Sequence, residues 1–349
     1  MAKPLAGLAR EVRDGLGRVI VGHGDALDTL FLTLVCGGHA LLEGVPGLGK
    51  TLAVRSLAGI LQVRFRRVQC TPDLMPADIT GSTVLNTATS EFRFHEGPLF
   101  TDLLLVDEIN RMPPRTQAAL LEAMEERQVT VDGMPHELSP LFSVIATQNP
   151  VEFEGTYPLP EAELDRFAVK IRIAYPDEQD ERTILERYHG RSPAAAAAAT
   201  VQSGAVRGDG RAEARREERG EERGDVRGEV RGDVRGEVRG EDLEDARREA
   251  AAVRVEPGLL GYIAALVRRT RDWPSVALGA SPRAGLHLTQ LAKAIAATEG
   301  RDFVLPDDVK RVAPAVLRHR LIIRAEAEME GVTPDQVVTD VLSAVPVPK

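Results

Sequence analysis

The chain has 349 residues, which exceeds the usual size of a domain with a single hydrophobic core, so we expect two domains. Its 43% hydrophobic and 28% charged residues are typical of a soluble globular protein, and the lack of an 18-residue apolar run argues against a membrane span. The net charge of -9 disfavours a nucleic-acid partner, because phosphate binding needs clustered Lys and Arg. Cys36 and Cys70 lack metal-site spacing, and we expect a reducing, cytoplasmic location.

Residues 1 to about 190 alternate short apolar runs with helical patterns, which is typical of a parallel sheet covered by helices. Five runs have the composition of core strands: residues 39–43, 65–70, 103–107, 142–147 and 168–173. Apolar positions then recur at helical spacing in residues 259–269, 286–297 and 307–319. We therefore predict an α/β core over residues 1–190 and a small all-helical domain over residues 241–349.

Residues 191–240 differ in composition from both predicted domains. They contain a repeat of Arg, Gly, an acid and Val, and no Phe, Trp, Tyr or Ile occurs between residues 190 and 260. A segment with so little to bury, and with Gly at every fourth position of its repeat, is expected to be a disordered insertion. An interaction tail or an Arg-Gly nucleic-acid binder is the alternative, although alternating acids cancel the arginines.

A segment with the spacing of a Walker A loop follows the first apolar run: Gly44, Val45, Pro46, Gly47, Leu48, Gly49, Lys50 and Thr51. A helical pattern over residues 52–61 comes next, so strand, loop and helix occur in the required order. In such loops, backbone N–H groups and the helix N-terminus bind phosphates. We expect Lys50 to reach the β- and γ-phosphates of ATP and Thr51 to bind Mg2+.

Asp107 and Glu108 end the third apolar run in the form of a Walker B segment. Asp107 is expected to complete the Mg2+ shell, and Glu108 to polarise the attacking water. Paired acids also cap helices, but the upstream Walker A loop weakens that alternative. A carboxylate beside the magnesium ligand favours ATP hydrolysis over transfer to a substrate hydroxyl.

Asn149 follows the fourth apolar run and precedes Pro150. At the end of a core strand it can position water near the γ-phosphate, the role called sensor 1. Taken by itself, an Asn-Pro turn explains the pair better.

Five segments together resemble the MoxR family of AAA+ ATPases: residues 41–51, 107–114, 146–150, 159–167 and 279–284. The resemblance covers the chain except residues near 192–240, and implies a P-loop AAA+ core with an all-α lid. It further implies a ring, taken here as a hexamer, with ATP and Mg2+ bound between subunits. Arg166 would be the arginine finger that reaches the neighbour's γ-phosphate, and Arg283 the sensor-2 residue of the lid. A salt bridge of Arg166 to Asp165 or Glu161, and a solvated helix start at Arg283, are the alternatives.

Val21 and Gly22 resemble the segment that contacts adenine in this family, with a simple helix break as the alternative. Residues 82–86 and 91–94 alternate across a polar turn and predict a hairpin, and a second hairpin turns at Asp132 and Gly133. The resemblance implies that the first hairpin faces substrate, whereas an edge ribbon is the alternative.

The function implied by the resemblance is that of an ATP-driven chaperone or remodelling factor for protein clients. It would assist complex assembly or metal-cofactor insertion together with a von Willebrand factor A domain partner. A nucleic-acid motor would share the site and the hairpin, but the net charge and the missing basic stripe weigh against it. A nucleotide-dependent switch that binds a partner without remodelling it is the third hypothesis.

Deletion of residues 195–238 is expected to leave nucleotide binding and helical content nearly unchanged, because this segment has too few apolar residues to contribute to a core. Circular dichroism and calorimetric titration with ATP test the truncated chain. Strong protection from hydrogen exchange across residues 223–239 of the intact protein would contradict the prediction.

Overall fold

A computed structural model describes residues 3–87, 90–150, 156–189 and 240–348. The insertion predicted for residues 191–240 lies outside these ranges, apart from Gly240, at which a helix begins. Within the described ranges, no helix is both long enough and apolar enough to cross a membrane.

Five parallel strands form the central sheet: β1 (Ala40–Glu43), β2 (Phe65–Gln69), β5 (Leu103–Asp107), β8 (Ser143–Gln148) and β9 (Val169–Arg172). Their order across the sheet is β2-β5-β8-β1-β9, with β2 and β9 at the edges. All five residues of β5 are buried, because helices cover both faces of a parallel sheet. The predicted five-stranded parallel sheet is confirmed.

Up to residue 189, the described residues form seven α-helices: α1 (Leu5–Val19), α2 (Gly24–Val35), α3 (Lys50–Ile60), α4 (Pro76–Thr80), α5 (Pro114–Glu126), α6 (Glu161–Leu164) and α7 (Glu178–Tyr188). Two antiparallel hairpins interrupt this pattern: β3 (Gly81–Asn86) with β4 (Glu91–Glu96), and β6 (Gln128–Val131) with β7 (Met134–Glu137). Both hairpins were predicted. Asp132 and Gly133 have positive φ angles of 51° and 79°, as a tight turn between paired strands requires.

The second part is helical and comprises α8 (Gly240–Ala252), α9 (Pro257–Arg271), α10 (Pro282–Thr298), α11 (Pro306–Leu317), α12 (Ala325–Met329) and α13 (Pro334–Ala344). It contains in addition a short antiparallel pair, β10 (Val276–Leu278) with β11 (Ile322–Ile323). Ser281 begins α10 as an N-cap whose hydroxyl accepts from the Arg283 N–H at 3.1 Å. The N-cap therefore fixes where the predicted lid arginine lies on its helix.

Two apolar cores lie on opposite faces of the sheet. Leu41 and Leu104 face the core that contains α5, whereas Leu42 and Leu105 face the core that contains α1, α2 and α3. The alternation arises because successive side chains of a strand point to opposite faces. The second core continues into α8 to α11 and α13, so the helical part packs on the N-terminal helices without a break in apolar contact.

His39 is buried at the point where β1 begins. The Val144 N–H donates to its Nδ1 at 2.9 Å, and its Nε2 lies 3.1 Å from the Met124 carbonyl oxygen. Because Nδ1 accepts a hydrogen bond, the proton of the neutral ring is on Nε2. Burial lowers the pKa of His39 to about 4, so the ring stays neutral in the folded chain.

This histidine predicts a loss of stability in mild acid. Between about pH 6.5 and pH 4 the unfolded chain protonates His39 and the folded chain does not, so stability falls as the pH is lowered through this window. From pH 7 to pH 5 the free energy of unfolding should fall by about 2 kcal/mol more in the wild type than in His39→Gln, at 1.36 kcal/mol per pKa unit. Urea unfolding measures both, and equal losses in the two proteins would refute the prediction.

Candidate functional site

The glycine-rich loop of residues 44–51 connects β1 to α3. Gly47 and Gly49 have φ angles of 86° and 74°, a region that favours glycine, and the space beside each is open. Lys50 is the first residue of α3, and its Nζ donates to the Gly44 carbonyl oxygen. The loop therefore has the open backbone and the helix N-terminus that phosphate binding requires.

Two acidic residues and a threonine meet beside this loop, at the carboxyl ends of the strands. The Thr51 hydroxyl lies 3.3 Å from Asp107 Oδ2, and the Thr147 hydroxyl donates to Asp107 Oδ1 at 3.0 Å. Thr147 also accepts from the Glu108 N–H at 2.9 Å, and Glu108 has a φ of 58°. Neighbouring strands β5 and β8 thereby hold the two carboxylates, and Asn149 is buried directly after β8.

The oxygen atoms at this point fit a magnesium ion. Mg2+ prefers oxygen ligands and is commonly held by one or two carboxylates together with substrate phosphates. Thr51 and Asp107 supply a hydroxyl and a carboxylate oxygen, Oδ2, which Thr147 does not contact and which also pairs with Arg67. The donor set is of the kind that a nucleotide-bound magnesium ion needs, and the roles of Thr51 and Asp107 stay predictions.

The edge strand β2 contributes two residues that the sequence motifs did not indicate. Arg67 Nε lies 2.6 Å from Asp107 Oδ2, and Gln69 Nε2 donates to Glu108 Oε2 at 3.2 Å. Arg67 also donates to Gln69 at 2.9 Å. The two residues are two positions apart in a strand that pairs with β5, so their side chains point the same way. This spacing is the only signal in the sequence that could have identified them.

Cys70 follows β2 and is buried behind the two acids. Burial, reinforced by the negative charges of Asp107 and Glu108, raises the pKa of the Cys70 thiol to about 12. The thiol therefore remains protonated and unreactive at neutral pH.

Val21 and Gly22 line an open groove of about 430 Å³ between the first two helices and α7. Gly22 has a φ of 75°, and a Cβ atom there would lie 2.3 Å from Asp180 Oδ2. Since α7 follows β9, the groove lies at the same end of the sheet as the phosphate-binding loop.

Arg166 and Arg283 lie elsewhere, at the amino ends of the strands. Arg166 precedes β9, and both arginines contact Glu125 at the end of α5, at 3.0 Å and 2.6 Å. Neither alternative for Arg166, a salt bridge to Asp165 or to Glu161, is present, since Glu125 is its ion-pair partner among the described residues. The predicted arginines thus share one carboxylate.

The site residues predicted from the sequence therefore divide into two groups. The group at the carboxyl ends of the strands comprises Val21, Gly22, the loop residues 44–51, Asp107, Glu108 and Asn149. The group at the amino ends comprises Arg166 and Arg283. Residue 168 directly precedes β9 and residue 173 directly follows it. Five residue steps of 3.3 Å along the strand separate these two ends by roughly 17 Å. The arginines thus lie at the opposite ends of the strands from the glycine-rich loop of their own chain.

Comparison with known proteins places the chain in a family. Residues 39–169 match the ATPase family associated with various cellular activities (AAA), and residues 268–341 match the AAA lid domain. The uncharacterized protein YeaC of Bacillus subtilis is 40% identical over 99% of this chain and 95% of its own length.

Two further relatives agree over nearly the full length. Chaperone MoxR1 of Mycobacterium tuberculosis is 37% identical over 95% of this chain and 80% of its own. The crystal structure of a candidate ATPase from Cytophaga hutchinsonii superimposes with a TM-score of 0.81 at 36% identity, and the match covers 99% of this chain and 96% of that one. Since the family match, the lid match and the full-length relatives coincide, this chain belongs to the MoxR family of AAA+ ATPases.

Proposed function

We propose that this protein is an ATP-hydrolysing chaperone or remodelling factor that works as a ring, with each active site shared between neighbouring subunits. One observation carries the proposal: the phosphate-binding loop lies at the carboxyl ends of the parallel strands, and the arginine pair lies at their amino ends. Arginines that act on a nucleotide must therefore act on that of another subunit. A closed ring, such as the hexamer that the family resemblance implies, provides every site with such a neighbour.

Within one subunit, the loop and the Walker B acids bind and activate the nucleotide. Lys50 neutralises the β- and γ-phosphates. Thr51 and Asp107 would hold Mg2+, which would supply charge stabilisation on the phosphates. Glu108 orients and polarises the attacking water, and Asn149, buried directly after β8, is the second residue assigned to position it. Val21 and Gly22 contact the adenine in the groove formed with α7.

From the neighbouring subunit, Arg166 and Arg283 complete the site. Guanidinium groups offer fixed positive charge and planar donors that match phosphate oxygens. Because Arg283 shares Glu125 with Arg166, both arginines serve the same neighbour rather than their own nucleotide. This assigns the lid arginine a direction of action that its sequence motif did not specify.

The substrate proposed for this machine is a protein. The relative MoxR1 is named a chaperone, and the family resemblance adds a von Willebrand factor A domain partner and a role in complex assembly or metal-cofactor insertion. The β3–β4 hairpin exposes Leu85 and Phe92 as a cross-strand pair, with Phe92 75% exposed. Such an apolar pair suits a polypeptide client better than the phosphates of a nucleic acid.

Glu108→Gln is expected to slow ATP turnover by on the order of 10² or more while binding stays nearly intact, because the amide keeps the shape of the side chain and removes the base. Lys50→Ala should instead abolish tight binding, because the charge that neutralises the phosphates is lost. Calorimetry for binding and phosphate release for turnover separate the two roles. Unchanged affinity in Lys50→Ala, or wild-type turnover in Glu108→Gln, would exclude the corresponding role.

Mixing two inactive variants tests the shared site. Arg166→Ala subunits keep an intact nucleotide site, and Lys50→Ala subunits keep intact arginines, so a mixed ring should recover part of the activity that each variant lacks. Loss of an arginine finger costs on the order of 10³ or more in rate in other NTPases, which leaves a wide range for rescue. No recovery in mixtures that demonstrably co-assemble would show that Arg166 is structural and that the ring mechanism is wrong.

A further inference from the structure

Glu125 connects two arginines that come from different parts of the chain. Its Oε2 lies 3.0 Å from Arg166 Nη2, and its Oε1 lies 2.6 Å from Arg283 Nη2. About a third of each of the three side chains is exposed, at 29% for Arg166, 38% for Arg283 and 37% for Glu125. The cluster therefore lies at the protein surface, where a second subunit can reach it.

The backbone around Glu125 is firmly held. Met124, the preceding residue, is buried in the core beneath α5, and its carbonyl oxygen contacts His39 Nε2. On the other side, the Ser281 hydroxyl that caps α10 donates to Asp165 Oδ2 at 2.8 Å. The helix that bears Arg283 is thereby tied to the residue next to Arg166, and the three side chains extend from fixed points.

The charges explain why one carboxylate between two arginines matters. Two guanidinium groups that contact one carboxylate repel each other, and the attraction of each to the carboxylate offsets that repulsion. The three side chains together keep one net positive charge. The hydrogen bond from Arg283 and the charge of Arg166 hold the pKa of Glu125 below its ordinary value, so this carboxylate is ionised at neutral pH. A phosphate that approaches therefore meets a preformed, net positive pair.

We propose that Glu125 is a positioning residue that holds Arg166 and Arg283 together in the geometry in which they act on the nucleotide phosphates of the neighbouring subunit. The inference rests on the proposed function, because it requires that the arginines act between subunits. Glu125 itself touches no reacting atom in this mechanism. Its loss should lower the turnover of the neighbour's site and not that of its own.

The test uses the full-length chain in the mixed rings described above. Lys50→Ala subunits are the donors of arginines, and Arg166→Ala subunits are the recipients. Glu125→Gln is placed in the donor in one mixture and in the recipient in another, and the rescued ATPase rate is measured after co-assembly is verified with differently tagged subunits. Glu126→Gln in the donor is the matched control, because it removes the same charge one residue further along the helix.

Glu125→Gln in the donor should lower the rescued rate at least about tenfold, since a displacement of about 1 Å in a catalytic group can cost on the order of 10² in rate. The same change in the recipient, and Glu126→Gln in the donor, should leave the rescue unchanged. An equal loss from both placements would overturn the inference in favour of a structural role. Unchanged rescue with the donor variant would overturn it outright, and increased rescue would show that Glu125 restrains the arginines.

The parent mixture separates this inference from the function on which it rests. If Arg166→Ala and Lys50→Ala subunits co-assemble without any rescue, the shared-site function fails, and the role of Glu125 fails with it. If the parent mixture is rescued and the position of Glu125→Gln makes no difference, only the role of Glu125 is excluded.

Discussion

The direction of the parallel sheet is the constraint on which the rest of this structure depends. Because all five strands run the same way, the segments that follow them meet at the carboxyl ends of the strands. The segments that precede them meet at the amino ends. Lys50, Asp107 and Asn149 follow strands, whereas Arg166 precedes one. One chain thus contains both halves of the proposed site but holds them roughly 17 Å apart. Assembly with a second copy is the simplest way to bring the halves together.

The lid brings Arg283 to the amino ends of the strands because a buried charge anchors the lid there. Arg320, in the turn after α11, is almost wholly buried and lies 2.6 Å from Asp165, with further hydrogen bonds to the carbonyl oxygens of Phe167 and Ala168. Burial lowers the pKa of Arg320 to about 10, and the contact with Asp165 opposes that shift, so the guanidinium stays charged. Removal of Asp165 would leave the buried guanidinium of Arg320 without its carboxylate, which makes this joint costly to open.

A second set of ion pairs links the lid to the carboxyl ends of the strands. Glu43, directly before the phosphate-binding loop, contacts Lys170 at 2.6 Å and Arg172 at 3.1 Å, and Arg172 also binds Asp335 of α13. Burial by itself would raise the pKa of Glu43, but these two cations outweigh burial and lower it. The lid thus touches residues next to both halves of the proposed site.

The sequence by itself determined the strands, the glycine-rich loop between β1 and α3 and the helical character of the second part. Each predicted core strand agrees with the structure to within one residue at either end, because strands covered on both faces appear as continuous apolar runs. Glycine spacing likewise indicates a loop through local backbone geometry. Only the tertiary structure placed Arg67 on Asp107, 40 residues away, and Arg283 on Glu125, 158 residues away. These contacts depend on the strand order and on the docking of the lid, which are decided by packing between segments remote in sequence and leave no local pattern to detect.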